Sequence, residues 1–179
     1  MEFKEFLIER NLQKEILSQK HNPTPTENQI KSGKYAKPLI NIGGLSIRIE
    51  NPVGTIRAGT DPDGGHWETK FKNCSYGYIV NGPLASDHDK IDVFLANEDF
   101  QISTIWVVNQ QLNGKFDEVK VLMGFINSTE AVKAYLSNYE SGWEKNIMNV
   151  KELDTKTFKE WMKHGDTKKP IPYGSSIEI

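Results

Sequence analysis

Asp87-His88-Asp89-Lys90-Ile91-Asp92 places three carboxylates within six residues, and the apolar run Val93-Phe94-Leu95-Ala96 follows directly. Acids at this density repel one another, and a bound divalent cation is the simplest way to hold them at the mouth of a strand. All three side chains offer oxygen alone, which suits hard ions such as Mg²⁺, Mn²⁺ or Ca²⁺. An EF-hand is excluded, because its loop needs glycine at the sixth position, where this chain has Asp92. In an extended chain Asp87 and Asp89 share a face and Asp92 has the opposite parity. Convergence of all three therefore requires a backbone turn between Asp89 and Asp92. The chemistry expected here is a Mg²⁺ site.

Other chemistry-bearing residues flank this cluster. Glu50, Arg57, Lys70 and Tyr76-Gly77-Tyr78 lie upstream, and Asp117-Glu118-Val119-Lys120 lies downstream. Glu118 and Lys120 have the same strand parity and so share a face, whereas Asp117 points to the other. Carboxylates to hold metals, together with Lys, Arg and Tyr to orient phosphate oxygens, are what a polyanionic substrate with bridging metals requires.

The elements that must position these residues are legible as patterns. Leu45 to Glu50 alternates strictly, as a half-buried strand does. Thr55-Ile56-Arg57 and Trp67 to Phe71 flank Asp61-Pro62-Asp63-Gly64-Gly65, a hairpin turn signal. Further strands are expected at Tyr78 to Val80, Ile91 to Leu95 and Ile102 to Asn109, and Asn113-Gly114 predicts a hairpin into Val119 to Phe125. Short strands joined by tight turns between Leu39 and Phe125 predict a curved antiparallel β-barrel of OB-like form, or a strongly curved antiparallel sheet. The last third reads as helical. Asn127 or Ser128 caps a helix through Asn138, and Asp154 caps another from Thr155 to Lys163 that ends at Gly165. Ahead of the strands, Phe3 to Gln19 has helical spacing, Pro23-Thr24-Pro25 breaks it, and Thr26 to Gln29 starts a second helix that stops at Gly33. The expected class is α+β, with residues 1–37 as a helical appendage and residues 38–179 as the barrel domain with its covering helices.

Composition excludes several alternatives. A chain of 179 residues with 37% hydrophobic and 26% charged residues has room for one domain with a true core. The net charge of −2 gives no electrostatic reason to expect nucleic acid or a membrane surface as partner. No apolar run approaches the ~20 residues of a membrane span, and no signal peptide is legible, so the cytoplasm is the default compartment. Cys74 is the single cysteine, which excludes an intramolecular disulfide and a cysteine zinc cluster.

The ordered set Glu50, Arg57, Lys70, Tyr76-Gly77-Tyr78, Asp87-x-Asp89-x-x-Asp92-Val93 and Glu118-x-Lys120 resembles that of the soluble family I inorganic pyrophosphatases. It is most similar to the pyrophosphatase-like domains of phage and prophage polyvalent proteins. Segments like Ile49-Glu50-Asn51-Pro52, Gly59 to Gly64, Gly114 to Glu118 and Gly165 to Pro170 recur there. The resemblance implies Mg²⁺-dependent hydrolysis of pyrophosphate, with Mn²⁺ as the alternative cation, and it implies a homo-oligomer, as is common in that family. It makes Asp87, Asp89, Asp92, Glu118 and Glu50 the metal ligands, and Arg57, Lys70, Tyr76 and Lys120 the substrate-binding groups. Asp89 becomes the base that polarises a metal-bridging water, with Tyr76 beside it in the catalytic set.

The chain departs from the family at named positions. His88 and Lys90 stand where glycine and proline are usual, and Asn113 stands where a metal-binding aspartate is usual. The family's C-terminal Tyr-Lys pair has only Tyr135 and Tyr139 as candidates. Two further readings stay open: a hydrolase of nucleotide or other organic diphosphates on the same fold, and a non-catalytic module that binds phosphate or a partner.

Overall fold

The alternating segment forms β2 (Leu45–Asn51) in a computed structural model that describes residues 11–60, 63–97 and 103–179. Ile47 and Ile49 are fully buried on one face of β2, and Arg48 and Glu50 occupy the other, as period-2 alternation requires. β1 (Leu39–Ile42) precedes it and β5 (Cys74–Ile79) pairs with its other edge. The sheet continues through β6 (Asp92–Ala96), β8 (Lys115–Met123), β7 (Thr104–Leu112), β9 (Ile147–Asp154) and β10 (Ser175–Ile177), in that spatial order. β3 (Ile56–Thr60) and β4 (His66–Lys70) form a separate hairpin, whose turn residues Asp61 and Pro62 lie outside the described residues, as does Ile102.

Two features correct the expected antiparallel barrel. The sheet is open, and β6 and β8 run parallel. Closure would have to join β1 to β10, and these edge strands have only four and three residues. The parallel pair arises because the chain leaves β6, passes to β7, and returns by the Asn113-Gly114 hairpin to place β8 between them. Asn113 and Gly114 both have positive φ, 52° and 75°, as a tight two-residue hairpin turn needs.

Both C-terminal helices form where their caps predict. The Asn127 side chain accepts from the Glu130 amide at the start of α3 (Ser128–Leu136), and Asp154 accepts from the Thr157 amide at the start of α4 (Thr155–His164). They cover opposite faces of the sheet. Phe158 and Trp161 of α4 join the core around Ile47, Val93 and Val121, while Ala131 and Tyr135 of α3 join the core around Tyr76, Phe94 and Leu122.

The unexpected element between them is β9. Its buried residues Ile147, Val150 and Leu153 recur every third position, which hides a strand. A register shift against β7 near Asn109 brings Ile147 onto the same face as Val150.

α1 (Leu12–Ser18) packs against the core. Leu12 and Ile16 are buried in the α4-side cluster, each worth about 1.5–3 kcal/mol by area. The predicted residues Phe6, Leu7 and Ile8 lie outside the described residues. α2 (Glu27–Ser32) starts at the Thr26–Gln29 capping box and ends at Gly33, with no buried residue.

Gly77, between two site tyrosines, is required by close approach of β2. A Cβ there would stand 2.0 Å from the Arg48 carbonyl oxygen. Gly77→Ala is expected to destabilise the fold by about 3 kcal/mol through overpacking. An unchanged urea midpoint would show that the two strands can separate at no cost.

Candidate functional site

Register assembles the centre of the site. β5 pairs Tyr78 with Asp92, and the parallel β6–β8 pair sets Asp92 beside Lys120. Tyr76, Asp92, Phe94, Glu118 and Lys120 therefore face the α3 side of the sheet. Lys120 Nζ lies 2.5 Å from Asp92 Oδ2 and 2.7 Å from Glu118 Oε1, with its side chain almost wholly buried. The wall behind them is aromatic: Phe71 stacks on Tyr76, Tyr76 packs on Phe94, and Tyr139 stacks on Trp143 at 4.3 Å. Low polarity on that side strengthens each charge interaction in front of it.

The electrostatics follow from this burial. Desolvation pushes the Glu118 carboxyl up to about 6, against the pull of Lys120, with Asp92 and Asp87 adding to the rise. Burial alone would lower Lys120, but Asp92, Tyr139, Tyr76 and Glu118 together hold it well above the usual lysine value. Desolvation and the neighbouring Asp92 raise Tyr76, so it remains a phenol that hydrogen-bonds Asp92. Arg57 lies over the Tyr76 ring at 5.2 Å and shares the field of Glu50 and Asp92. Arg57, Tyr76, Asp92, Lys120 and Glu118 thus form one contiguous chain of charge and hydrogen bonds.

Of the two candidate C-terminal tyrosines, Tyr139 meets this chain, being raised by burial and interacting with Lys120, Tyr76, Asp92 and Glu118. The next residue is Glu140, not lysine. Tyr135 is engaged elsewhere: its hydroxyl donates to Gln110 and accepts from Trp143.

Asp117 departs from simple strand parity. Asn109 pairs with Val119 and Gln111 with Phe116, so Gln110 stands opposite both Asp117 and Glu118, the signature of a bulge in β8. Gln110 donates to Asp117 at 2.8 Å while also bonding Tyr135, which fixes Asp117 on the α3 side with Glu118. Asn113 sits in the exposed turn at the far end of this hairpin, on the opposite side of the bulge from Lys120.

The Asp87–Asp89 loop is built from local bonds. Asp87 accepts from the Asp89 amide and Asp89 accepts from the Lys90 amide, both side chains remaining exposed. Asp87 reaches the Glu118 field. Ser86 donates to the Asp117 carbonyl, and Thr167 of the C-terminal segment donates to the Leu84 carbonyl at 2.7 Å. Lys90 turns away from the acids, donating to the carbonyls of Val80 and Gly82. His88 has φ 69°, the left-handed region that favours glycine. His88→Gly is expected to raise stability by about 1 kcal/mol by relieving that conformation, read as a higher urea midpoint. A lower midpoint would mean that the imidazole contributes more than the backbone strain costs.

Lys70 is not brought to the site. Arg57 pairs with Thr69 in the β3–β4 hairpin, so Lys70 alternates onto the opposite, exposed face. Glu50 is at the margin, bonded to Lys37 at 2.9 Å and to the Tyr35 hydroxyl at 3.3 Å. Lys37 and Tyr35 carried no sequence signal beyond their alternate positions in the extended stretch before Pro38.

The donor chemistry suits a hard cation. Asp87 and Asp92 both act on Glu118, with Asp117 and Asp89 adjacent in the fold or chain. Among the described residues no three acids stand at ligand spacing. Lys120 occupies the position between Asp92 and Glu118 that a cation would share.

One face of the open mixed sheet thus gathers half-buried acids, a buried lysine and paired tyrosines. The family model for inorganic pyrophosphatase matches residues 27–163, and the chain belongs to that family. No curated protein and no solved structure matches it. The matched region begins ahead of Tyr35 and Lys37, inside the stretch expected to be an appendage. Among the described residues no helix is long and apolar enough to cross a membrane.

Proposed function

We propose that this protein hydrolyses inorganic pyrophosphate to two phosphates with Mg²⁺ as its cofactor. The observation that carries the reading is Lys120 held between Asp92 and Glu118 beneath Tyr76, with Arg57 alongside. Asp87, Asp89, Asp92 and Glu118 would hold the cation, which when bound would neutralise phosphate charge and polarise water, while Glu50 stays committed to Lys37. Arg57 and Lys120 donate to phosphate oxygens, and Tyr76 adds a neutral phenol donor. Asp89, exposed on its loop, takes the proton of the attacking water as the P–O–P bridge breaks and one phosphate leaves. We also place the chain in the phage and prophage polyvalent branch of the family, acting in the cytoplasm. Two of the segments that carry this resemblance have structural uses: Pro52 closes the turn to Thr55, and Thr167 ties the C-terminal segment to the aspartate loop.

The test is phosphate release from pyrophosphate with Mg²⁺ and with a chelator, on the native protein and on Asp89→Asn. Release only with the cation, reduced roughly 10²-fold or more by the substitution, is expected from loss of a general base. One observation favours a second reading as a binding module. Asp89 already accepts from the Lys90 amide on its exposed loop. Heat stabilisation by pyrophosphate and Mg²⁺ without any turnover would select that reading instead.

A further inference from the structure

The segment ahead of the sheet delivers a buried cation to the edge of the site. Lys37 has a side chain only 7% exposed, and its Nζ donates to Glu50 Oε1 at 2.9 Å and to the Tyr78 hydroxyl at 3.4 Å. Its ammonium lies 4.3 Å from the Tyr35 ring centroid and 5.1 Å from that of Tyr78, so two aromatic faces enclose it. Three backbone ties fix the segment. The Asn22 amide donates to the Ala36 carbonyl, the Arg48 guanidinium to the Lys37 carbonyl, and the Ile49 amide to the Pro38 carbonyl. Lys37 is thus a built contact and not a solvated charge.

Arg57 leans on Tyr76, whose register partner on β2 is Asn51, the neighbour of Glu50, and it feels the Glu50 charge. Glu50 therefore has one cation bonded to it and a second in its field. The built one is Lys37. Arg48, the other base on this face of β2, is committed to the Lys37 carbonyl.

We propose that Lys37 is a positioning residue that fixes Glu50 on the β2 side and so leaves the Arg57 guanidinium free for a substrate phosphate. The proposal rests on the pyrophosphate reading and assigns a role to a segment outside the strand motifs. Without Lys37, the Glu50 carboxylate turns to Arg57, and an arginine paired with a carboxylate is a poorer phosphate ligand.

The experiment measures binding of methylene diphosphonate, a non-hydrolysable diphosphate, in Mg²⁺ by calorimetry, beside pyrophosphate turnover. Lys37→Met is expected to weaken binding about tenfold, the scale of one charge-assisted hydrogen bond. Turnover should show a raised KM with kcat little changed. In an E50Q background the same substitution should cost under about twofold, because no carboxylate remains to capture Arg57. Lys37→Arg should retain binding. Equal losses in both backgrounds, or none in either, overturn the inference, since packing between two rings would act regardless of Glu50. If Lys37→Met fails to fold, Tyr35→Phe decides in the same cycle: it deletes one donor to Glu50, keeps the ring, and should cost about twofold only where Glu50 is present. Diphosphonate binding without phosphate release overturns hydrolysis while the binding cycle still judges Lys37. Absence of both overturns the two together.

Discussion

Asp92→Asn is expected to lower Mg²⁺-dependent phosphate release by about 10³-fold, the upper range for losing one charged group at a preorganised site. Asp92 opens β6, directly across the parallel ladder from Lys120, and its Oδ2 lies 2.5 Å from that ammonium. It also takes the Tyr76 phenol as a hydrogen-bonding partner. Asparagine keeps the shape and removes the charge on which both neighbours depend. Lys120 is left with Glu118 alone, and the cation loses a half-buried ligand candidate. Asp87→Asn, on an exposed loop position, should cost at least tenfold less than Asp92→Asn. Steady-state phosphate release on the two variants, with circular dichroism to verify folding, checks the order. Equal or reversed losses would move the catalytic centre out to the loop.

Lys120→Met is expected to show the largest stability effect of any single substitution at the site. It leaves Asp92 and Glu118 facing one another with no cation between them. Removing one partner of a buried pair costs about 3–5 kcal/mol. The penalty should depend on pH with a definite sign. Glu118 is raised to about 6 from an ordinary 4.5 even beside Lys120, chiefly by desolvation. The folded state thus holds a proton that the unfolded state releases, and its contribution to stability falls as pH rises from about 4.5 to about 6. Without Lys120 the carboxyl rises further and the window extends upward. The variant should then be close to native stability at pH 5 and strongly destabilised at pH 8. Mg²⁺ should return part of the loss at pH 8 by standing in for the ammonium. Urea denaturation at both pH values, with and without Mg²⁺, reads this directly. A penalty independent of pH would mean that the lysine acts through its methylene stem alone.

Much of the local structure was legible because it depends on near neighbours. Asn127 and Asp154 cap their helices through amides three residues away, and Asn113-Gly114 turns its hairpin through its own backbone. The Glu118–Lys120 face was legible from strand parity for the same reason. β9 was hidden because a register shift gave its buried residues a spacing of three. Asp117 was misread for a related cause: a bulge in β8 turned it onto the face that parity denied it. The placement of Lys70 was equally hidden, since the pairing of Arg57 with Thr69 sets it on the other face of the hairpin.

The sequence by itself determined the chemistry on offer: oxygen acids for a hard cation at Asp87, Asp89 and Asp92, and bases and phenols for phosphate at Arg57, Lys120 and Tyr76. Those are properties of side-chain type and short spacing. Only the tertiary structure decided which of them meet. Asp92 finds Lys120 across 28 positions through a parallel pairing, and Glu50 finds Lys37 through a segment that carries no periodic pattern. Register between distant strands is fixed by the burial of whole sheet faces, a property that no window of the sequence contains.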